Sequence, residues 1–255
     1  MSVRLHVLSG GRLRSDKGLF TPGRDEGVRE TAPVACFLIR HSQAVALFDT
    51  GCHPDVATDP FQRWGGLAKA FEPQFTPEET VVPELGRLGL GPDDVDLVLC
   101  SHLHMDHCGA NAFFRRATCV VHARELATAR DPKSEGRGYF RADWDHAMPW
   151  REVEGEQDLF GDGRVVLIPA PGHTPGMMMA AVTLDRTGIV LLASDAVIVR
   201  PNLDDDLVPR NTWDAAAWRR SADEIRRWQA RGALVVFGHD AEQWATLKKG
   251  PDAYD

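Results

Sequence analysis

Eight short runs of branched aliphatic residues, each closed by Gly, Pro or a polar side chain, constrain the fold of this chain more than any other feature. They are "VRLHVLSG", "VACFLIRH", "AVALFDTG", "VDLVLCSH", "TCVVHARE", "RVVLIPAPGH", "GIVLLASD" and "ALVVFGHD". Runs this short and this rich in Val, Ile and Leu predict largely buried strands. Between them "PEETVVPELGRLG", with Gly89 as a stop, "GANAFF" and "TWDAAAWRRSADEIRRWQARG" predict helices. The last has a Thr212 or Asp214 cap, carries Trp218, Ile225 and Trp228 at roughly helical spacing, and stops at Gly232. Strands alternating with helices, plus consecutive strand pairs, predict an α/β fold of two sheets with helices on the outer faces. A length of 255 residues is near the upper end for one core, so the expectation is a single domain over 1–255.

How the strands end is the chemical signal. "VDLVLC" runs into Ser101-His102, "VVLIPAPG" into His173, "IVLLAS" into Asp195 and "LVVFG" into His239. Four buried strands thus deliver a metal-seeking side chain at the C-terminal end, where the loops of an α/β sheet build sites. In "SHLHMDHCGAN", His102, His104, Asp106 and His107 leave a strand on one tight loop. Imidazole and carboxylate suit zinc, iron or manganese, and one tetrahedral site needs about three protein ligands plus water. Seven candidates are enough for two ions sharing a bridging group, ~3.5–4 Å apart, which together activate water and polarise a carbonyl.

Composition excludes other classes. A net charge of -8 argues against a phosphate-tracking nucleic-acid surface. The N-terminus "MSVRLHVLSGGRLRSDKG" lacks the pattern of a signal peptide, and no apolar run is long enough to span a bilayer, so a cytoplasmic protein without a membrane partner is expected. Cys36, Cys52, Cys100, Cys108 and Cys119 form no C-x-x-C pair and sit mostly in apolar runs, as reduced core thiols do.

The order HLHMDH, GHTPG, SDA and FGHD resembles the metallo-β-lactamase superfamily, and "LFDTG" with Asp49 and Gly51 resembles its early Asp-Thr-Gly turn. The likeness spans nearly the whole chain. Within the superfamily, "DTGCHPD", "SDAVIVRPNLDDDLVP" and "VFGHDAEQW" resemble the N-acyl homoserine lactonases. The resemblance implies an αββα sandwich of two mixed β-sheets flanked by helices. It also implies two divalent ions per chain, zinc first, with iron, manganese or cobalt as alternatives. His102, His104 and His173 would hold one ion; Asp106, His107 and His239 the other; Asp195 would bridge them and Asp49 would support the ligands from behind. The implied reaction opens the lactone ring of N-acyl homoserine lactones by attack of a hydroxide held between the ions, with Asp106 and Asp195 as catalytic residues and Asp106 passing a proton to the leaving alkoxide. Two alternatives stay open: another lactone, ester or thioester on the same centre, such as a pyridoxolactone-like or glyoxalase II-like substrate, and an iron redox enzyme of the same fold.

One departure stands out. Lactonases of this type commonly carry a tyrosine three positions after the bridging aspartate; here that position is Ile198, and the only tyrosines are Tyr139 and Tyr254. Losing one oxyanion donor costs ~10²–10³ in rate unless something replaces it: either a residue such as Tyr139 or His146 moves in, or water and metal suffice, or the substrate is different. Met105, Ile198, Tyr139, Trp144 and Met148, with Phe20 from the polar segment "GGRLRSDKGLFTPGRDEG", are candidates for the wall of an acyl pocket, with ordinary packing as the other reading. That segment is read as a loop, a lid or a dimer arm, and Trp64, Trp213 and Trp218 as core residues or a homodimer interface.

Overall fold

The structure, a computed structural model, describes residues 2–255. Two mixed sheets face each other. The first is built from β1 (Arg4–Asp16), β2 (Arg29–Arg40), β3 (Val45–Phe48), β4 (Glu72–Pro73), β5 (Leu97–Leu99), β6 (Thr118–His122), β7 (Trp150–Val153) and, from the chain's far end, β13 (Ala253–Tyr254). Its order is β13-β1-β2-β3-β5-β6-β7, with β4 also paired to β1. The β1, β2 and β3 neighbours are antiparallel, and β3, β5, β6 and β7 run parallel. The second sheet has β8 (Gln157–Asp158), β9 (Val165–Pro169), β10 (Met178–Leu184), β11 (Gly188–Ser194) and β12 (Leu234–Phe237) in the order β12-β11-β10-β9-β8. Only the β11 and β12 pair is parallel.

Because side chains alternate across a strand, each central strand feeds two cores at once. Ala35, Phe37 and Ile39 of β2 enter the space between the sheets with Val190 and Leu192 of β11. Cys36 and Leu38 face the other way, against Val81 and Leu85 of α2 (Val81–Arg87) and Leu126 of α3 (Ala123–Arg130). On the far side Leu191 and Ala193 pack against Trp218, Ala222 and Ile225 of α6 (Ala215–Ala230). Short helices α1 (Pro60–Trp64), α4 (Arg141–Trp144), α5 (Arg200–Asp204) and α7 (Ala241–Thr246) complete the layers. All five cysteines are free and buried. Among the described residues no helix is long and apolar enough to cross a membrane.

All eight runs read from the sequence are strands. The run "MMMAAVTL" was not among them, yet β10 lies at the centre of the second sheet and is buried on both faces. Met and Ala have modest β propensity, and burial between two partners overrides it. "GANAFF" is only a 3-10 turn over Asn111–Phe113. The segment read as a loop, lid or arm is instead the end of a long hairpin: β1 runs on to Asp16, a 3-10 turn spans Lys17–Leu19, and β2 starts at Arg29. Trp64 and Trp218 are core residues, whereas Trp213 is exposed with the Arg124 guanidinium 5.8 Å from its ring.

The helix α6 also fixes one strand end. Asp214 caps it, accepting from the Ala216 and Ala217 amides at 2.8 and 2.9 Å. The amides of Trp213 and Asp214 donate to the carbonyls of His173 and Gly172 at 3.1 and 3.0 Å. Gly172 lies so close to the Trp218 backbone that a Cβ would sit 2.6 Å from the Trp218 nitrogen. The fully buried Trp218 therefore supports both the core and the loop after β9. Trp218→Ala is expected to cost about 3–5 kcal/mol, measured by urea unfolding of the metal-stripped protein against its parent.

Candidate metal centre

The two sheets bring the ends of β5, β9, β11 and β12 to one edge of the sandwich, and their loops meet there. Backbone turns at that edge are tight: Asp49 and Ser194 both adopt left-handed conformations, at φ 59° and 45°. Such positions are uncommon for side chains other than glycine and concentrate at functional sites. Ser194 turns the chain so that Asp195 points inward.

Seven side chains converge in overlapping groups. His102, His104 and His173 form one trio and Asp106, His107 and His239 another, and the candidate ligand atoms within each lie within 4.8 Å of one another. Asp195 faces both. Its Oδ2 is 3.4 Å from His173 Nε2, and its Oδ1 is 3.1 Å from His239 Nε2 and 3.4 Å from His107 Nε2. His104 Nδ1 lies 3.1 Å from His102 Nε2 and 3.0 Å from His173 Nε2. Asp106 Oδ2 is 3.6 Å from His239 Nε2 and 3.8 Å from His107 Nε2.

The outward hydrogen bonds decide what points inward. His107 Nδ1 is 2.9 Å from Asp49 Oδ2, and His239 Nδ1 is 2.7 Å from the Pro33 carbonyl. Each acceptor takes the ring N–H, so in the neutral ring each Nε2 presents a lone pair, and these two nitrogens are only 3.4 Å apart. His102 follows suit: its Nδ1 is 2.9 Å from Ser101 Oγ, which donates to Asp49 Oδ2 at 2.8 Å. Among the described residues, buried Asp195 Oδ1, which faces the ring nitrogens of His107 and His239, has no hydrogen-bond partner. Bare acceptors pressed together away from water are costly, and a cation between them removes the cost. The donor set therefore fits divalent metal.

Charge points the same way. Burial and neighbouring imidazoles hold His102 and His104 well below the usual histidine range, so both are neutral, as metal ligands must be. Burial also opposes charge on His107 and His239, but the Asp195 and Asp106 carboxylates outweigh it and both rise. The site asks for positive charge beside those carboxylates.

Next to this cluster is a cavity of about 260 Å³. Leu13, Phe20, Ala32, Leu67, Phe71 and Met105 form its apolar wall, Ser15, Arg137 and Asn211 its polar points, and His104, Asp106, Asp195 and His239 its floor. The β1–β2 hairpin contributes four of the lining residues: Leu13, Ser15, Phe20 and Ala32. Phe20 stacks over His239, with ring centroids 6.1 Å apart and planes 11° from parallel.

Residues 29–239 match the metallo-β-lactamase superfamily. The chain belongs to that superfamily. Its curated relatives include the N-acyl homoserine lactonase AttM of Azorhizobium caulinodans, 34% identical with 99% of each chain covered. Another is the N-acyl homoserine lactonase AiiB of Agrobacterium fabrum, 33% identical, covering 100% of this chain and 99% of that one. Among solved superfamily structures, an N-acyl homoserine lactone hydrolase with the product N-hexanoyl-L-homoserine at its catalytic metal centre superposes with a TM-score of 0.90, at 25% identity and full coverage of both chains.

The support behind the superfamily cluster comes from a few polar residues. Asp49 Oδ1 accepts from the Ser101 amide at 2.8 Å, while Oδ2 receives Ser101 Oγ, His107 Nδ1 and Ser194 Oγ, the last at 3.2 Å. Asp49 so touches the loop of His102 and His107 and the residue before Asp195. Ser101, Ser194 and a fully buried acid, Glu125, were not singled out from the sequence. A serine has no spacing that betrays this role; the signal for Glu125 was its place on the same helical face as Leu126 and Ala129 of α3, all three buried.

Of the six residues proposed for the pocket, Phe20 and Met105 line the cavity. Trp144 and Met148 do not: they pack in the core beneath the first sheet, with Leu103 and Phe114. Ile198 is fully buried behind Phe20 and Val199, and its carbonyl accepts from the His239 amide at 2.8 Å. Tyr139 is buried, with its ring edge-on to His104 at 4.6 Å and its hydroxyl 2.8 Å from Glu125, so it offers no donor to the cavity. His146 lines a separate depression with Asn111 and Arg115. Neither candidate replaces the missing tyrosine.

Metal that binds only the folded chain must stabilise it. Excess chelator is expected to lower the melting temperature in differential scanning calorimetry, and a divalent ion returned in excess to restore it; an unchanged melting temperature would contradict the reading of the cluster.

Proposed function

We propose that this chain is a divalent-metal-dependent N-acyl homoserine lactonase, which opens the homoserine lactone ring to give an N-acyl homoserine. The observation that carries this reading is the pair of His and Asp trios with Asp195 facing both, at an apolar cavity whose floor includes His104, Asp106, Asp195 and His239. Relatives named as N-acyl homoserine lactonases, similar along the whole chain, support it. In this reading His102, His104 and His173 hold one ion, Asp106, His107 and His239 the second, and Asp195 both, with Asp49 orienting His107 from behind. Zinc suits nitrogen-rich sets of this kind. Five free buried cysteines support a reducing, cytoplasmic setting.

Once bound, two divalent ions supply a nucleophile at neutral pH by lowering the pKa of water and stabilise charge that develops on the carbonyl oxygen. The chain's own part is to orient and exclude. Apolar residues from Leu13 to Met105 hold an acyl chain and keep bulk water away, and Phe20 covers His239. Ring opening adds hydroxide to the lactone carbonyl carbon, breaks its bond to the ring oxygen and requires a proton on the departing alkoxide. Asp106 is suited to deliver that proton: it lines the cavity, and its side chain keeps 15% exposure against 6% for Asp195.

A second reading, hydrolysis of another lactone, ester or thioester on the same centre, is favoured by one observation. The loop after Asp195 offers Ile198, apolar and buried, where a tyrosine hydroxyl is common.

Each ring opened releases a proton at neutral pH, so pH-stat titration with a short- and a long-chain acyl homoserine lactone tests the proposal. Turnover of ~10 s⁻¹ or more is expected, an ordinary enzymatic rate. Metal analysis of the same sample should find about two ions per chain. No turnover with both ions present would move the substrate to the second reading. Asp195→Ala is expected to lose metal and activity together; full activity in that variant would overturn the bridged arrangement.

A further inference from the structure

We propose that Glu125 is the positioning residue of the His102–His104–His173 half of the centre, a buried carboxylate that locks together the two loops carrying those imidazoles. The inference rests on the two-ion reading above. The contrast between His104 and His173 and the other three imidazoles motivates it, since His102 is held at Nδ1 by Ser101. His107 and His239 are each held by a direct hydrogen bond at Nδ1, to Asp49 and to Pro33. His173 has no such partner among the described residues, and the polar contacts of His104 lie within its own trio. What places these two rings is therefore what places their loops.

Glu125 does that with both oxygens. It sits in the first turn of α3 with no exposed surface. Its Oε1 accepts the Leu103 amide at 3.0 Å, between His102 and His104, and the Tyr139 hydroxyl at 2.8 Å. Its Oε2 accepts Thr174 Oγ1 at 2.8 Å and the Gly176 amide at 3.1 Å, just beyond His173. Four donors from three segments thus close on one carboxylate. Tyr139 adds its ring edge to His104, and the Gly138 carbonyl beside it takes the Met105 amide at 2.9 Å. The approach is close: a Cβ on Gly176 would collide with the Glu125 backbone. With no side chain in between, the loop after β9 rests directly on α3.

The same geometry makes Glu125→Gln informative. A carboxylamide accepts at one end only, and its NH₂ end donates. The Thr174 and Tyr139 hydroxyls can turn and accept from it, but a backbone N–H cannot. In either orientation of the amide, one of the Leu103 and Gly176 amides loses its acceptor, and with it one of the two loops.

The test uses the full-length protein titrated with Zn²⁺ and, in parallel, with Co²⁺, whose visible spectrum reports ligand geometry. Glu125→Gln is expected to weaken one of the two ions by ~10–100-fold, the usual effect of losing a partner behind metal ligands. After gel filtration it should keep about one ion per chain where the parent keeps two. Part of the cobalt spectrum should change, and the gap in melting temperature between loaded and stripped protein should narrow while the stripped protein melts near its parent. If the variant does not fold, Tyr139→Phe and Thr174→Val, which remove one hydroxyl donor each and leave the carboxylate, should each weaken the same single ion by a few-fold. Parent-like affinity for both ions in the variants that fold would overturn the proposal. So would equal loss of both ions with stripped and loaded melting temperatures lowered alike, the mark of a purely structural residue. A parent protein that binds only one ion would instead overturn the two-ion reading.

Discussion

The bare nitrogens of His107 and His239 face each other 3.4 Å apart in a nearly dry site, and much of the surrounding structure exists to hold them there. Against the cost of burial, the neighbouring Asp195 and Asp106 carboxylates draw positive charge to both rings, as a proton or as a cation between them. Here the outward face of each ring is tied to a fixed acceptor, so the inward face has no choice of tautomer. The acceptors come from different places: Asp49 follows β3, and the Pro33 carbonyl belongs to β2. A site assembled this way is as rigid as the sheets that carry it.

Two buried acids share that task. Asp49 faces the end of the first sheet and gathers Ser101, His107 and Ser194. Glu125 lies on the other side, beneath the loops after β5 and β9. Each carboxylate satisfies several donors that would otherwise be stranded, and each spans segments far apart in sequence. A buried charge with a full set of donors is tolerable; the same charge with one donor missing is not. That asymmetry makes these acids sensitive points in a site they do not directly line.

Substitution at Ile198 is compatible with this frame because the residue packs behind Phe20 and braces the His239 amide. The cavity wall is then a matter of the β1–β2 hairpin, the segment carrying Leu67 and Phe71 and the loop of Met105, with Ser15, Arg137 and Asn211 as its polar points.

Eight of the thirteen strands in the described residues, and the His and Asp residues that close four of them, are legible along the chain. Val, Ile and Leu runs have a period and a length that report burial, and a His or Asp at the end of such a run reports a site, since both signals are local. The same local logic placed α6, with Gly232 as its stop and Thr212 or Asp214 as its cap, and the fold selects Asp214. Tertiary structure decided the rest. β10 is a strand because it is buried between two others, despite its Met and Ala composition. The polar segment through Phe20 forms a cavity wall because its hairpin partner runs beside it, and Tyr139 is spent on Glu125 because α3 brings that acid within 2.8 Å. Ser101, Ser194 and Glu125 acquire their roles from neighbours tens of residues away, and no pattern along the chain encodes which donors will meet which acceptor once the two sheets close.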